Sequence, residues 1–294
     1  MSTLEQPFFN GLSFTIMIGD LEVTLSPHQQ FMNLVFNHVD LSHLNLFSCT
    51  FEKCNFVDCK MLDIDWSGTS FTNCTFDNCD MTSSVMYQTT LERCTFTKCD
   101  LTETRTYMSN FNDVRFSSCD LDATRVIDTE FMSSVLDDCT INGGDWRTCL
   151  IAFSTLRNVR ATDEPPRLSF VGVTNTNLVE VVLYGADWND CVFANATIIK
   201  CNFWKSNFHD PHLQDCTVSH TGLNETTINE GLFLKSPLFG CRLRLARLVA
   251  CIFEESDIAA CTLAGADLSS TILYESAFIA NRTTEGGAHP TVLP

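Results

Sequence analysis

Residues 49–61 have the sequence CTFEKCNFVDCKM, in which a large apolar residue returns at every fifth position as Phe51, Phe56 and Met61. An α-helix repeats every 3.6 residues and a strand every two, so a period of five fits neither element. The chain must therefore turn a corner after every repeat.

The same spacing covers almost the whole chain. It runs from Phe31 to Leu156 through 26 positions, of which only Thr106 is polar. A second run has 23 positions from Leu168 to Phe278, and all of them are apolar. The chain is only 45% hydrophobic, so composition alone does not produce this regularity. The repeat is the organising feature of the fold.

A second fixed position lies two residues before each large apolar residue and holds a small or slim side chain. All 16 cysteines of the protein occupy this position. If both positions point inward, each five-residue unit forms one side of a square coil, and one turn takes 20 residues. The same residue type recurs at that spacing, as at Cys54, Cys74 and Cys94, which supports the four-sided coil.

The order of a small residue, Asn or Asp, and then Leu or Phe resembles the pentapeptide-repeat family, as in Cys-Asn-Phe at 54–56 and Ala-Asp-Leu at 266–268. The resemblance covers residues 31–156 and 168–278. It implies an all-β fold, a right-handed quadrilateral β-helix of about 12 coils. At about 4.8 Å per turn the rod would be roughly 55–60 Å long.

The two ends depart from the repeat. Residues 1–30 are predicted to form an N-terminal cap, because apolar and polar residues alternate on both sides of Gly19–Asp20, as in a two-residue hairpin. Gly19-Asp20-Leu21 also fits the repeat in phase, so a degenerate first coil is the alternative. Residues 279–294 cannot continue the apolar stack and are predicted to be a flexible C-terminal tail.

Residues 157–167 interrupt the period, because the spacing from Leu156 to Leu168 is two residues longer than two repeats. Proline cannot donate a ladder hydrogen bond, so this segment is predicted to be a loop or kink between two β-helix segments, 31–156 and 168–278. It is either an accommodated insertion or a loop that contacts a partner. In the second case the candidate contacts are Asp163, Glu164, Pro165 and Pro166.

The net charge is −18, from 36 acidic and 18 basic residues. Asp40, Asp80, Asp100 and Asp120 share one column, where an Asp commonly hydrogen-bonds its own turn. A second set at outward positions is either a solvated face or a partner-binding surface. Its members are Asp190, Asp210 and Glu230.

Among the tryptophans only Trp204 is expected to point outward, which makes it a candidate partner contact. Arg242, Arg244 and Arg247 form a small basic patch that could pair with nearby acids or contact a partner. No nucleophile–base pair, phosphate-binding glycine loop or metal motif is evident in the sequence. We therefore predict no enzyme activity, no cofactor and no metal.

These features favour a non-enzymatic scaffold or adaptor that presents a long acidic surface to another protein. One alternative comes from the family resemblance: some members mimic DNA and modulate gyrase or topoisomerase, so a topoisomerase is a possible partner. The other is a bacterial effector or secretion-associated adaptor. The acidity argues against direct nucleic-acid binding, and the last coil could be covered by the tail or by a second copy, as in a homodimer formed through the β-helix end.

The expected location is the bacterial cytoplasm. The N-terminus shows no secretory signal, and no apolar segment is long enough to cross a membrane. Sixteen free buried thiols would also fit a reducing compartment. Secretion without a signal peptide is the alternative.

Overall fold

The computed structural model describes residues 13–18, 21–283 and 290–294. Over these residues the chain forms a parallel β-solenoid of about 13 turns and contains no helix. The predicted all-β, four-sided coil is confirmed, with about one turn more than predicted. We number its faces I to IV in chain order, so that the first full turn places Phe31, Phe36, Leu41 and Leu46 on successive faces.

Each face is a ladder of short parallel strands, one per turn. The strands of face I are Gln30–Met32, Thr50–Glu52, Ser70–Thr72, Thr90–Glu92, Asn110–Asn112, Glu130–Met132, Leu150–Ala152, Gly172–Thr174, Val192–Ala194, His212–Gln214, Leu232–Leu234, Ile252–Glu254, Ile272–Tyr274 and Thr291–Leu293. The strands of face II are Val35–Asn37, Asn55–Val57, Thr75–Asp77, Thr95–Thr97, Arg115–Ser117, Val135–Asp137, Thr155–Arg157, Asn177–Val179, Thr197–Ile199, Thr217–Ser219, Leu238–Phe239, Ile258–Ala259 and Phe278–Ile279.

The other two faces have fewer regular strands. Those of face IV are Val85–Tyr87, Arg105–Tyr107, Arg125–Ile127, Asp145–Arg147, Arg167–Ser169, Asp187–Asn189, Asn207–His209, Thr227–Asn229 and Arg247–Val249. Face III has the strands Arg160–Ala161 and Val182–Leu183, and its other turns are joined by single parallel bridges such as Asp80 to Asp100.

The corners are made by a residue with a left-handed backbone, two positions after each inward apolar residue. Asn73 and Asn78 have φ values of 54° and 52°, and the same conformation recurs along the chain with few exceptions. A non-glycine residue in this conformation costs about 1–2 kcal/mol. The corner N–H donates to the next turn, as from Asn73 to the Glu92 carbonyl at 2.9 Å, which offsets part of that cost.

The interior is a set of stacked side chains. On face II the rings of Phe36, Phe56, Phe76, Phe96 and Phe116 follow one another with centroids 4.4–4.9 Å apart. All of these rings are buried. Because each inward residue contacts its equivalent one turn away, the stack continues only where the 20-residue register is kept.

The small inward position holds every cysteine, and all 16 thiols are free and buried, as predicted. The thiol is more than a spacer, because it donates to a carbonyl of the preceding turn, 23 residues earlier. The Cys74 Sγ lies 3.3 Å from the Phe51 carbonyl oxygen, and the Ser84 hydroxyl makes the equivalent bond to Met61 at 2.8 Å. The position therefore favours a small side chain that can donate a hydrogen bond.

The loop at the insertion is shorter than the predicted segment 157–167. Arg160 pairs with Thr140 at a spacing of 20 residues and with Val182 at a spacing of 22, so the two extra residues lie between Ala161 and Arg167. Residues 155–157 and 160–161 are in strands, which corrects the prediction of a loop or kink from residue 157. The ladders of faces I, II and IV cross the insertion unbroken, because the extra residues are taken up at one corner.

The N-terminal hairpin is present: Phe14–Ile18 pairs antiparallel with Leu21–Leu25. Its predicted turn at Gly19–Asp20, and residues 1–12 of the predicted cap, lie outside the described residues. Val23 and Leu25 are buried, and Phe14 packs against the core, so the hairpin covers the first turn.

The C-terminal residues correct the prediction of a flexible tail from residue 279. Phe278–Ile279 is a strand of face II, and Arg282 pairs with Thr262 on face III. Thr291–Leu293 then adds a last strand beside Ile272–Tyr274. The physical reason is the exposed edge of that strand, whose backbone groups would otherwise lack partners.

The first prediction concerns Thr106, whose buried hydroxyl oxygen has no hydrogen-bond partner among the described residues. Thr106→Val keeps the shape and removes the unpaired group, so we expect the free energy of unfolding to rise by about 1 kcal/mol. The matched control is Thr124→Val. That hydroxyl donates to the Leu121 carbonyl at 2.8 Å and accepts from Trp146 Nε1 at 3.2 Å, so its loss should lower stability. Thermal melts of both variants check the opposite signs.

The second prediction concerns pH. Burial raises the pKa of the Cys149, Cys201 and Cys251 thiols to about 12 and that of Cys191 to about 11, from an ordinary value of 9.0. The unfolded chain therefore releases these protons first, and stability is complete below pH 9 and falls as pH rises from 9 towards 11. The loss is about 1.4 kcal/mol per pH unit for each thiol.

Melting temperatures between pH 8 and 11 measure this loss. A Cys149→Ser variant is the control, because it removes one titrating thiol and should show a slope smaller by about 1.4 kcal/mol per pH unit. Equal slopes for the two proteins would contradict the assignment.

Candidate functional site

The interior offers no room for a substrate among the cavities described. Three internal cavities have volumes of about 30, 40 and 20 Å³ and are lined almost entirely by inward apolar side chains. A surface depression of about 350 Å³ is lined by residues that include Asp63 and Arg105.

His212 and Asp210 lie close together, with 3.5 Å between Nε2 and Oδ1. Within the described ranges, no group of three or more His, Cys, Asp or Glu side chains is arranged to hold a metal ion. The same ranges contain no helix that is long and apolar enough to cross a membrane.

Face I changes character halfway along the rod. Each three-residue strand presents its first and last side chains outward, and the first residues of successive strands form one column. In the N-terminal half this column is polar throughout: Gln30, Thr50, Ser70, Thr90, Asn110 and Glu130. The first apolar residue in this column is Leu150. Because the N-terminal half folds with polar residues in the column, the fold does not require apolar ones there.

In the C-terminal half the column becomes apolar. Val192, Leu232, Ile252 and Ile272 follow one another at one residue per turn, interrupted only by His212. The neighbouring column adds Leu234, Tyr274 and Leu293, with Glu254 between Leu234 and Tyr274. We call these seven residues the apolar strip.

The strip is open to solvent. Val192 is 45% exposed, Ile252 42% and Ile272 38%. From Val192 to Ile272 the strip is about 20 Å long at the usual spacing between strands. A contiguous apolar surface with a polar border is typical of a protein-binding site.

Carboxylates border the strip on both sides. Asp190, Asp210 and Glu230 form the predicted column and occupy the corner between faces IV and I, each with a left-handed backbone. At the other corner of face I lie Asp215, Lys235, Glu255 and Glu275, and the Lys235 ammonium lies 3.7 Å from the Glu255 carboxylate. The structure therefore places the predicted acidic column beside an apolar surface that the sequence analysis did not identify.

Face III carries a second cluster. Trp204 is 41% exposed, as predicted, and its ring meets that of Tyr184, one turn earlier, edge to face at 5.3 Å. The Lys205 ammonium lies 5.0 Å from the Trp204 ring centroid. Pro165 packs over Gly185, where an added Cβ would lie 3.3 Å from the proline ring.

The insertion residues are not equivalent. Asp163, Glu164 and Pro165 are exposed at the corner that begins one turn before Tyr184. Pro166 is buried, because it occupies the inward position two residues before Leu168 that elsewhere holds a small side chain. Its side chain is not available to a partner, which corrects its inclusion among the candidate contacts.

The candidate residues thus fall into two groups. Trp204 contacts Tyr184, and Pro165 packs over Gly185, the residue after Tyr184, so these two candidates lie near each other on face III. The three acidic candidates lie at the corner between faces IV and I: Asp190, Asp210 and Glu230. Tyr184 and the apolar strip were missed. Tyr184 and most strip residues lie one position before or after an inward residue of the repeat, which is the signal the sequence offers, whereas Leu293 lies on a last strand outside the five-residue phase.

The other acidic column serves the fold, as expected. Asp40, Asp80, Asp100 and Asp120 each accept a hydrogen bond from the backbone N–H two residues later, at 2.9–3.2 Å. Asp267 makes the same bond, and hydrogen bonds from the Ser269 hydroxyl and N–H hold the pKa of its carboxyl below the ordinary value. These turns are stabilised by the ionised side chain.

Two family models match the chain. The "pentapeptide repeat region" matches residues 69–146 and 89–163, and "pentapeptide repeats (8 copies)" matches residues 49–88 and 176–215. Together they cover just over half of the chain. No curated protein matches it.

Solved structures with similar folds include three with low identity. QnrB1, titled a plasmid-mediated fluoroquinolone resistance protein, is 17% identical over 46% of this chain and 84% of its own, with a TM-score of 0.25. HetL of the cyanobacterium Nostoc is 16% identical over 90% and 92%, with a TM-score of 0.25. The A-module of the mannuronan C-5 epimerase AlgE6 of Azotobacter vinelandii is 9% identical over 90% and 88%, with a TM-score of 0.40.

These TM-scores are too low to bear on function. The five-residue register, the four-faced stack of parallel strands and the two matching models agree with one another. The chain is a member of the pentapeptide-repeat family.

Proposed function

We propose that this protein is a non-enzymatic scaffold that binds another protein along the C-terminal half of face I. The observation that carries the proposal is the apolar strip, in which Val192, Ile252 and Ile272 are 38–45% exposed and follow the same column as the half-buried Leu232. The first column of the strip is polar in the N-terminal half, from Gln30 to Glu130, so the coil folds without apolar residues at these positions.

The border of the strip specifies the chemistry of the partner. Asp190, Asp210 and Glu230 on one side, and Asp215 and Glu275 on the other, present carboxylates to any segment that lies on face I. Glu255 also lies on the second side, where it pairs with Lys235 at 3.7 Å. A segment with apolar residues in the middle and Lys or Arg on both flanks would match this pattern. Burial of the apolar centre provides affinity, while the charged border favours the right partner and orientation.

DNA mimicry is the alternative, and the distribution of charge favours the scaffold. On face IV, Asp145, Arg167 and Asp187 follow one another in one column, and the Asp145 carboxylate lies 2.7 Å from Arg147. Hydrogen bonds from Arg157 hold the pKa of the Asp137 carboxyl below its ordinary value. A DNA duplex presents regular phosphates without such interspersed cations.

The buried thiols support a place in the cytoplasm. Sixteen free cysteines in one chain are compatible with a reducing compartment.

The third prediction tests the strip. Peptides selected from a random phage-displayed library against the wild-type protein should carry apolar residues flanked by Lys or Arg. The double variant Ile252→Thr, Ile272→Thr should weaken the binding of such a peptide by about tenfold or more, measured by fluorescence anisotropy. Asp190→Asn with Asp210→Asn should weaken it less and reduce its dependence on salt.

The matched control is Val35→Thr with Ile127→Thr, which makes the same kind of change outside face I and should leave binding unchanged. Unchanged affinity in the strip variant, or selected peptides with acidic flanks, would refute the proposed surface.

The fourth prediction concerns the alternative. We expect no inhibition of DNA gyrase supercoiling at micromolar protein, because the carboxylates are spread over several faces and interrupted by arginines. Inhibition that the strip variant retains would instead support DNA mimicry.

A further inference from the structure

Face III is polarised along the rod. Before Val182 its first outward column has the acids Asp40, Asp80, Asp100 and Asp120 and the cations Lys60 and Arg160, and after Val182 its charged residues are Arg242 and Arg282. Its second outward column has Asp122 in the N-terminal half and Arg244 in the C-terminal half. Arg242, Arg244 and Arg282 are exposed, and none forms an ion pair with a carboxylate of the described residues.

The opposite charges are placed symmetrically about one turn. Counted along the ladder, Asp120 lies three turns before Val182, and Arg242 lies three turns after it. Asp80 lies five turns before Val182, and Arg282 five turns after. Asp122 and Arg244 occupy the second outward column of the same turns as Asp120 and Arg242. The turn of Val182 and Tyr184 is therefore the centre of the charge pattern.

We propose that two copies of this chain associate face to face through face III, antiparallel, about a two-fold axis at the turn of Val182 and Tyr184. With a two-fold axis parallel to the strands, the second rod runs in the opposite direction to the first. Each outward column of one copy then faces the same column of the other copy. Asp120 then faces Arg242 of the second copy, Asp122 faces Arg244, and Asp80 faces Arg282. Each of these three ion pairs forms twice, because the interface is isologous.

The middle of this interface is aromatic. Tyr184 lies on the axis and meets its own equivalent, while Trp204 packs beside it at 5.3 Å. Lys205 lies one turn after Tyr184, and Asp163 and Glu164 lie at the corner one turn before it, so they face each other between the copies. Central aromatic anchors with charged pairs outside them are the usual arrangement of a binding hot spot.

The proposed interface is small, which points to a low affinity between the two copies. Asp80 to Arg282 spans about 50 Å, and a three-residue strand is about 10 Å long, so each copy contributes roughly 500 Å². A total near 1,000 Å² is at the low end for specific complexes. We therefore expect a micromolar, salt-sensitive dimer. Face I lies on the opposite side of the coil, so the dimer leaves both apolar strips open, and this inference does not depend on the proposed function.

Sedimentation velocity tests the charge pattern. The wild-type protein should dimerise in about 50 mM NaCl and dissociate in about 500 mM NaCl. Arg242→Glu with Arg244→Glu should weaken the dimer by about tenfold or more. The control Arg105→Glu with Arg115→Glu makes the same change of charge outside face III and should leave the dimer intact. Mixing the first variant with Asp120→Arg, Asp122→Arg should restore association between the two.

A cross-link tests the axis independently of charge. A Tyr184→Cys variant should form a disulfide with its own equivalent under mild oxidation, because the native thiols are buried. Tyr107→Cys, on face IV, is the control and should stay uncross-linked. A monomer at every salt concentration, or equal cross-linking of the two variants, would overturn the proposal. So would a dimer that survives Arg242→Glu, Arg244→Glu, which would instead indicate association through a β-helix end.

Discussion

Every turn of this protein depends on residues with a left-handed backbone at its corners. Such a residue reverses the direction of the chain after one short strand, and its N–H bonds to the next turn. Because the corner fixes the length of each side, the large apolar residue and the small residue before it always return to the interior. The ladders, the ring stacks and the buried thiols all require this regular corner.

The same constraint leaves the outward-facing residues of the coil free to vary. Only the inward positions and the corner conformation are fixed, so the first and last residues of each strand can be chosen without loss of the core. Face I has a mostly apolar outward column from Val192 to Ile272, and the outward acids of face III lie before Val182 whereas Arg242, Arg244 and Arg282 lie after it. Two unrelated surfaces can therefore lie on opposite sides of one scaffold, each built from residues that repeat at one per turn.

The fold was predictable because its signal is local and repeated many times. The burial of all cysteines and the exposure of Trp204 both followed from position within the repeat. The predictions failed where the period fails. Pro166 was placed on a loop because two prolines suggested a break, yet the chain regains the inward register at that residue. The last strand, Thr291–Leu293, pairs out of the five-residue phase, so its position could not be counted from the repeat.

By itself, the sequence determined which side chains face inward, because a five-residue period leaves one solution for the core. Only the tertiary structure decided which outward residues are neighbours. Pro165 and Gly185 meet across one turn, and this contact depends on where the two extra residues are absorbed, because Pro165 lies within the insertion. Which residues of neighbouring turns contact each other depends on the strand register across the insertion. Hydrogen bonds between the strands fix that register, and the spacing of apolar residues does not.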